Sequence, residues 1–195
     1  MCCLKVIGLT GSFCAGAGTA AKLLSEMLDA RVESYSDKLR EIEKQRGMPI
    51  TRESHFALAN ELRCNDPASL SKMIADDFGK LSKTKKFFVA EKLRSRGDFN
   101  GFKQKLGGDF ILLAIDAPLE VRYLRAVERR REGEEKLSLQ EFVASEKKEN
   151  RVDAAEHEQN IAALMQLADY TIVNDGSQAQ LKRKLGQFAK KFSLA

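Results

Sequence analysis

A glycine-rich stretch from residue 11 to residue 19 has the residue types of a loop that binds phosphate. It reads GSFCAGAGT, and Gly11 and Gly16 have the spacing of the P-loop pattern G-x-x-x-x-G-K-[ST]. Glycines let backbone N–H groups turn toward an anion, and the N-terminus of a following helix adds partial positive charge. The predicted phosphate-binding residues are Gly11, Ser12, Cys14, Ala15, Gly16, Ala17, Gly18 and Thr19.

The loop departs from the P-loop pattern at one position. Ala17 directly follows Gly16, where the pattern has a lysine that reaches the β- and γ-phosphates of a nucleotide. Thr19 is present, and its hydroxyl can bind Mg²⁺. The sequence therefore predicts a backbone cradle that lacks one cation, which Lys22 or Lys92 could supply from another position. The alternative is a glycine-rich turn between a strand and a helix that binds no ligand.

Arginine side chains are the second feature that could do chemistry, because a planar guanidinium binds phosphate through two hydrogen bonds. Phosphoryl transfer depends on cations around the moving phosphate. Arg122, Arg125 and Arg129 have the spacing of one helix face, which favours a shared function. For any single arginine, the alternative is a position on a solvated helix surface. The other candidates are Arg40, Arg52, Arg63 and Arg94.

Acidic residues follow four of the predicted strands, at the ends where ligands of α/β sheets bind, and three of them are candidates here. Asp37 can orient an acceptor hydroxyl or accept its proton, or it can be an ordinary helix N-cap. Glu91 can hold Mg²⁺ through water, or it can be a surface acid at the end of a strand. Asp116 receives no specific role. The sequence leaves the alternatives for Asp37 and Glu91 open.

The elements that must position these residues follow from hydrophobic periodicity. Short apolar segments typical of strands alternate along the chain with helical patterns. This order predicts an α/β fold with a doubly wound, mostly parallel five-stranded sheet and helices on both faces, in one domain over residues 1–195. An acceptor-binding helical segment is predicted at about 36–82, and a small helical lid at about 126–150. The predicted strands are 4–10, 31–35, 87–90, 110–115 and 170–173.

Three helix starts are predicted from capping residues. Ser36 or Asp37 is expected to cap the helix after the second strand. Pro67 is expected to be the first helical residue of another helix. Ser138 and Glu141 have the spacing of a capping box, which predicts a helix beginning beside them.

The composition is that of an ordinary globular protein with a basic balance. A net charge of +5 suits a small polyanionic ligand. Nucleic acid is not expected as a partner, because the sequence has no helix-turn-helix, zinc-finger or aromatic stacking pattern. No apolar run reaches the roughly 20 residues of a membrane helix, and the N-terminus has no signal-peptide pattern. We therefore expect a cytoplasmic protein with no membrane partner and with passive, reduced cysteines, Cys14 included.

Several segments together resemble the small P-loop nucleotide kinases, in particular the nucleoside monophosphate kinase-like and dephospho-CoA kinase-like group. The resemblance extends over nearly the whole chain, and the run ADYTIVNDGS at 168–177 is its most specific part. The other matching segments are KVIGLTG at 5–11, SDKLR at 36–40, TRE at 51–53, NELR at 60–63, AIDAP at 114–118 with VRY at 121–123 and Arg125, and, on the far side of the lid, Glu141-Phe142 and Glu149.

This resemblance implies an ATP-dependent phosphotransferase that acts on a nucleotide-like small molecule. ATP and Mg²⁺ would bind at residues 11–19, with Thr19 and Glu91 at the metal, and with Asn174 and Gly176 in a turn near the adenine. The acceptor would lie near Asp37, Arg40, Arg52, Arg63 and Arg94, and the lid would close with Arg122, Arg125 and Arg129.

Two departures from the family pattern bear on catalysis. Ala17 replaces the loop lysine, and the family's D-G-I-R after the third strand is E-K-L-R at residues 91–94. Removing one preorganised charge typically slows an enzyme by about a hundredfold or more. The first hypothesis is therefore an active kinase, and the alternative is a catalytically degenerate nucleotide-binding protein of the same fold. The sequence does not identify the acceptor or indicate an oligomeric state.

Overall fold

A parallel sheet forms the centre of the protein. The computed structural model describes residues 4–128, 138–149 and 154–194, without the side chains of residues 52, 53, 56, 148 and 149. Within these residues five strands pair in the order β2-β3-β1-β4-β5, and each pairing is parallel. The strands are β1 (Lys5–Gly11), β2 (Arg31–Ser34), β3 (Phe87–Glu91), β4 (Phe110–Asp116) and β5 (Tyr170–Val173).

Helices connect the strands and cover both faces of the sheet, which confirms the predicted doubly wound α/β fold. In the described ranges, none of them has both the length and the apolar content needed to cross a membrane. The helices are α1 (Ala17–Leu28), α2 (Tyr35–Gln45), α3 (Arg52–Asn65), α4 (Ser69–Leu81), α5 (Arg96–Leu106), α6 (Leu119–Glu128), α7 (Leu139–Glu149), α8 (Ile161–Leu167) and α9 (Gln178–Lys191).

Each face of the sheet has its own hydrophobic layer. Successive side chains of a strand point to opposite faces, so neighbours in β1 belong to different layers. Ile7 packs in a cluster that includes Leu24 of α1 and Phe188 of α9. Val6 belongs to the opposite cluster, with Phe78 of α4. The glycine loop at the end of β1 is therefore held by a strand that is buried on both sides.

The predicted start of α2 is wrong by a short distance. The helix begins at Tyr35, because the side chain of Ser34 accepts a hydrogen bond from the N–H of Asp37. Ser34 ends β2 and caps α2 at the same time, so the strand passes into the helix without a loop. Ser36 is not the cap, and Asp37 is not the ordinary N-cap that the sequence left open.

The predicted start of α4 is also wrong. The helix begins at Ser69 after Ala68, and Pro67 lies in the turn that precedes it. Asp66 organises this turn, since its side chain accepts a hydrogen bond from the N–H of Ala68 at 2.9 Å. The turn, rather than the proline, therefore sets the helix boundary.

The helix predicted after Ser138 is confirmed together with its capping box. The N–H of Ser138 donates to the carboxylate of Glu141 at 2.8 Å, and the N–H of Glu141 donates to the Ser138 hydroxyl at 3.2 Å. This helix, α7, falls within the predicted lid, whose residues 129–137 and 150 lie outside the described residues. The division into an acceptor segment and a lid remains a prediction.

Gly8 provides a test of the packing on the inner strands. The Phe110 ring lies over Gly8, so an added Cβ would come within 2.5 Å of it, and Phe110 is itself stacked on Phe102 at a ring distance of 5.0 Å. We expect Gly8→Ala to lower the free energy of unfolding by about 1–3 kcal/mol through overpacking, measured by urea unfolding.

The matched control is Gly79→Ala in α4, where no atom lies within 4 Å of the added Cβ. Alanine should stabilise that helix by about 0.5–1 kcal/mol. Equal stability of Gly8→Ala and the natural protein would contradict the packing.

Candidate active site at the carboxyl ends of the strands

The glycine loop joins the end of β1 to the start of α1 in close contact with β4. An added Cβ at Gly11 would lie 2.1 Å from the carbonyl oxygen of Ile115, so the loop leaves the sheet directly against the neighbouring strand. Gly16, just before α1, has a φ of 103°, in the left-handed region that glycine tolerates. No described side chain caps α1. The N–H groups of its first turn and the positive end of its dipole therefore lie at the loop.

Side chains from the ends of two other strands, and from α6, fasten the loop. The Ser12 hydroxyl donates to the Asp116 carboxylate at 2.6 Å, where β4 ends. The Ala15 carbonyl accepts hydrogen bonds from the Asn174 side chain at 2.8 Å and from Arg125 at 3.3 Å. The loop conformation is thus fixed by contacts that the sequence separates widely.

The turn after β5 brings Asn174 to the glycine loop, whereas Gly176 of the same turn is packed against Gln180. The buried Asn174 side chain lies 2.6 Å from the position of a Cβ on Gly16. At Gly176, an added Cβ would meet the Gln180 side chain at 1.8 Å. Gly176 therefore makes room for Gln180, which forms a capping box with Ser177 at the start of α9.

Glu91, at the end of β3, faces the first turn of α1. Its Oε1 atom lies 3.4 Å from the position of a Cβ on Gly18, and the exposed Thr19 is the next residue in that turn. In the part of the chain that the structure describes, no three His, Cys, Asp or Glu residues are grouped as a metal site. A Mg²⁺ ion here would therefore take further ligands from phosphate oxygens and water, as it commonly does at nucleotide sites.

Asp37 and Arg40 lie together on the surface of α2, next to the end of β2. The Ser34 hydroxyl donates to one oxygen of Asp37 at 2.6 Å, and Arg40 donates to the other at 2.7 Å. About half of each side chain is exposed, at 57% for Asp37 and 50% for Arg40. A ligand from solvent can therefore reach both groups.

Arg63 is engaged by a buried carboxylate. Its guanidinium donates to Asp98 of α5 at 3.3 Å and lies 5.8 Å from the centre of the Tyr35 ring. Asp98 is 1% exposed, and its other oxygen accepts the N–H of Arg94 at 3.4 Å. The N–H of Asp98 in turn donates to the Ser95 hydroxyl at 3.1 Å. This cluster joins α2, α3 and α5 and holds the turn that carries Arg94.

Burial determines the ionisation of this cluster. It raises the pKa of Asp98, and the charge of Arg63 together with hydrogen bonds from residues 94 and 95 opposes that rise. Burial and the neighbouring Asp98 carboxylate raise the pKa of Tyr35 well above its ordinary value. Removing Arg63 would leave the buried Asp98 carboxylate without its charged partner.

Arg122 is buried and joins α6 to α7. Its Nε donates to the carbonyl of Ala117 at 2.8 Å, and its Nη1 forms an ion pair with Glu146 and lies 3.5 Å from the carbonyl of Phe13. The fully buried Phe142 ring of α7 lies 5.4 Å from the Phe13 ring, measured between centroids. The described part of the predicted lid is therefore in contact with the glycine loop.

Two predicted residues cannot be placed in this geometry. Arg129 lies outside the described residues, and Arg52 begins α3 but its side chain is not described. Of the arginine face predicted on α6, Arg122 and Arg125 both lie at loop carbonyls.

Sequence reasoning missed Asp98 and Glu146, and it named Phe142 only as part of the resemblance, without its contact to the glycine loop. A local signal existed for Asp98, because Ser95 and Asp98 have the S-x-x-D spacing of a helix start. Glu146 meets its arginine across 24 residues, and Phe142 meets a ring in the glycine loop. Contacts between residues so far apart in the sequence cannot be predicted from the spacing of residues within one segment.

Comparison with known proteins agrees with this fold. A family model for the AAA domain matches residues 9–143. A UPF0200/UPF0201 protein of Archaeoglobus fulgidus is 31% identical over 191 residues, which cover 97% of this chain and 56% of that protein. A UPF0200 protein of Pyrococcus abyssi is 32% identical over 188 residues, which cover 95% of this chain and 96% of that protein. Shikimate kinase from Acinetobacter baumannii, in complex with shikimate, superposes with a TM-score of 0.58 at 17% identity, over 98% of this chain and 96% of that chain.

The parallel sheet, the glycine loop between β1 and α1 and the structural likeness define a kinase-like P-loop fold. The chain belongs to the AAA domain family and to the UPF0200 proteins. It spans a little over half the length of the Archaeoglobus relative and nearly all of the Pyrococcus relative. The predicted resemblance to P-loop nucleotide kinases is thereby confirmed for the fold, and the roles of individual residues remain predictions.

Asp98 provides a pH-dependent test of the buried cluster. Because its pKa is raised in the folded protein, Asp98 stabilises the fold fully below its ordinary pKa of 3.8 and loses that contribution as the pH rises through the raised value. We expect the unfolding free energy of the natural protein, relative to Asp98→Asn, to fall as the pH rises across this range. Urea unfolding at a series of pH values measures the difference.

Asp175→Asn is the control with the opposite sign. A hydrogen bond from Lys184 lowers the pKa of Asp175, so its contribution is present above pH 3.8 and is lost as the pH falls through the lowered value. The natural protein should therefore gain stability over Asp175→Asn as the pH rises. A difference for Asp98→Asn that does not change with pH would contradict the burial argument.

Proposed function

We propose that this chain is a kinase that transfers the γ-phosphate of ATP to a nucleotide-like acceptor, either a nucleoside monophosphate or dephospho-CoA. The observation that carries the proposal is the contact of the glycine loop with the ends of β3, β4 and β5, through Glu91, Asp116 and Asn174. The kinase-like fold supports the class of reaction, and the net charge of +5 suits an anionic substrate.

The residues at the loop fit the phosphates of a nucleotide. Gly18 leaves open the space that a Cβ would fill beside Glu91, and the uncapped start of α1 provides N–H donors and partial positive charge. Residues 11–19 would hold the phosphates, and Thr19 and Glu91 would hold Mg²⁺ directly or through water. Bound ATP-Mg²⁺ supplies the phosphoryl group and neutralises part of its charge. The turn that contains Gly176 would adjoin the adenine.

The acceptor side of the proposed site is formed by α2 and the turn before α5. Asp37 would orient the acceptor or take up its proton, since both its side chain and that of Arg40 are reachable from solvent. Arg40 and Arg94 would bind the anionic part of the acceptor. Arg63, which is tied to buried Asp98, would position the Arg94 turn, because Asp98 also accepts the N–H of Arg94.

Arg125 is the residue proposed to stabilise the transferred phosphate from the lid side. It already contacts the loop at the carbonyl of Ala15. Arg122 would hold α7 through Glu146 rather than bind substrate, because its guanidinium is buried. Arg129 and Arg52 keep their predicted roles in the lid and at the acceptor.

A nucleotide-binding protein without catalysis is the second candidate function, and Ala17 is the observation that favours it. The loop has the glycines and the helix start that bind phosphate, but it lacks the lysine whose charge acts on the β- and γ-phosphates. Such a protein would bind ATP and transfer nothing.

A transfer assay distinguishes the two functions. The natural protein is incubated with ATP-Mg²⁺ and either dephospho-CoA or one of the common ribo- and deoxynucleoside monophosphates, and products are identified by mass spectrometry. We expect phosphorylation of one acceptor by the natural protein. Ala17→Lys tests the missing lysine, and Ala57→Lys, at an exposed site on α3, adds the same charge away from the loop.

Each outcome of this assay decides between the proposals. Product from the natural protein supports the kinase and names its acceptor. Product from Ala17→Lys alone, with none from Ala57→Lys, supports the degenerate binding protein. ATP binding with no product from any variant also rejects the kinase with these acceptors, and a protein that binds no ATP would overturn both functions.

Arg125 and Arg94 provide the mutational test of catalysis. We expect Arg125→Ala and Arg94→Ala each to lower the rate of phosphoryl transfer by about a hundredfold or more, because each removes a preorganised cation. Steady-state kinetics with the identified acceptor measures this loss. Arg183→Ala, on the exposed surface of α9, should leave the rate unchanged. Full activity in both site variants would refute the assignment.

A further inference from the structure

Lys92 has a backbone conformation that lysine seldom adopts. It directly follows β3 and has a φ of 67°, in the left-handed region. In the described ranges, the other non-glycine residues with positive φ are Cys14, Asp29 and Ser193. Asp29 and Ser193 stand at the C-termini of α1 and α9, where this conformation is common. Lys92 and Cys14 instead lie at the candidate site.

The neighbours of Lys92 hold this conformation in place. The N–H of Leu93 donates to the carbonyl of Leu9 in β1 at 3.0 Å, and the Leu93 side chain is buried. The N–H of Arg94 donates to Asp98 at 3.4 Å. The chain must therefore turn between β3 and Leu93, and Lys92 is where it does so. Strained backbone of this kind is concentrated at functional sites.

The Lys92 ammonium group lies beside the acid that faces the start of α1. Its Nζ is 3.9 Å from Oε1 of Glu91, and that oxygen is 3.4 Å from the position of a Cβ on Gly18. The Lys92 side chain is 50% exposed, so this long ion pair is partly in water and contributes little by itself. A lysine has a flexible stem, and its ammonium can exchange this partner for a more highly charged anion nearby.

We propose that Lys92 supplies the positive charge that the phosphate loop lacks at Ala17. On this assignment, which rests on the proposed function, the Lys92 ammonium binds a phosphate oxygen of the nucleotide at the first turn of α1 and leaves Glu91 to the metal ion. Lys22 is the competing candidate, because it lies about one full turn beyond Gly18 on the same face of α1 and lines the same cavity as Gly18 and Glu91. Unlike Lys92, it lies within a regular helix and has no left-handed backbone.

Lys92→Gly tests the assignment, because glycine tolerates the left-handed backbone and removes only the side chain. We expect this variant to bind inorganic tripolyphosphate and ATP, both with Mg²⁺, about tenfold or more weakly than the natural protein. Its Tm without ligand should be unchanged or higher, and its affinity for adenosine should not change. Isothermal titration calorimetry and thermal unfolding measure these quantities.

Three variants complete the experiment. Lys92→Arg keeps the charge and should keep the affinity for tripolyphosphate. Lys22→Ala is the matched lysine control and should bind as the natural protein does. Ala17→Lys combined with Lys92→Gly should regain the lost affinity, because it returns a cation to the loop.

The outcomes separate this inference from the proposed function. Equal affinity of Lys92→Gly and the natural protein for tripolyphosphate would overturn the role of Lys92 and leave the kinase proposal standing. Loss of binding in Lys22→Ala instead, or an equal loss for adenosine in Lys92→Gly, would also overturn it. A natural protein that binds neither ATP nor tripolyphosphate would overturn the proposed function, and this inference with it.

Discussion

The geometry of the candidate site depends on how the Ala15 carbonyl is satisfied. Ala15 is fully buried, and a buried carbonyl without a partner would cost about 1–3 kcal/mol. It accepts from Asn174, 159 residues away, and from Arg125, 110 residues away. One acceptor in the glycine loop thus fixes the end of β5 and the helix α6. Close contact of Gly11 with β4 leaves the loop little freedom to move away from them.

A second buried group organises the contacts among α2, α3 and α5. Asp98 is too deeply buried to be left unpaired, so it gathers Arg63 from α3 and the backbone N–H of Arg94. A buried ion pair adds little net stability, because desolvation offsets the attraction. Its effect is geometric: α3 and α5 can approach only in the arrangement that pairs these groups. For this reason Arg94 is held near the carboxyl end of β3, beside the turn that contains Lys92.

The sequence was sufficient for the fold because strand and helix periodicities are local, and the glycine loop is also a local pattern. The predicted starts of α2 and α4 were wrong because two signals competed within a few residues. Ser34 serves as the end of β2 and the cap of α2, and Asp66 organises the turn in which Pro67 lies. The site could be predicted only in part from the sequence, because Asp98 and Glu146 pair with arginines on other helices. Side-chain pairing across such distances depends on tertiary packing, which spacing along one segment does not encode.

Arg122 connects the glycine loop to α7, in the described part of the predicted lid, through its buried charge. Its guanidinium is buried, so its positive charge requires the Glu146 carboxylate of α7, while its Nε is held by the carbonyl of Ala117. Moving α7 away would leave this buried charge without its partner, and it would also expose the Phe142 ring that packs near Phe13. The position of α7 and the conformation of the glycine loop are therefore energetically linked. Any ligand that reorganises the loop must also overcome, or exploit, the contacts that hold α7 against it.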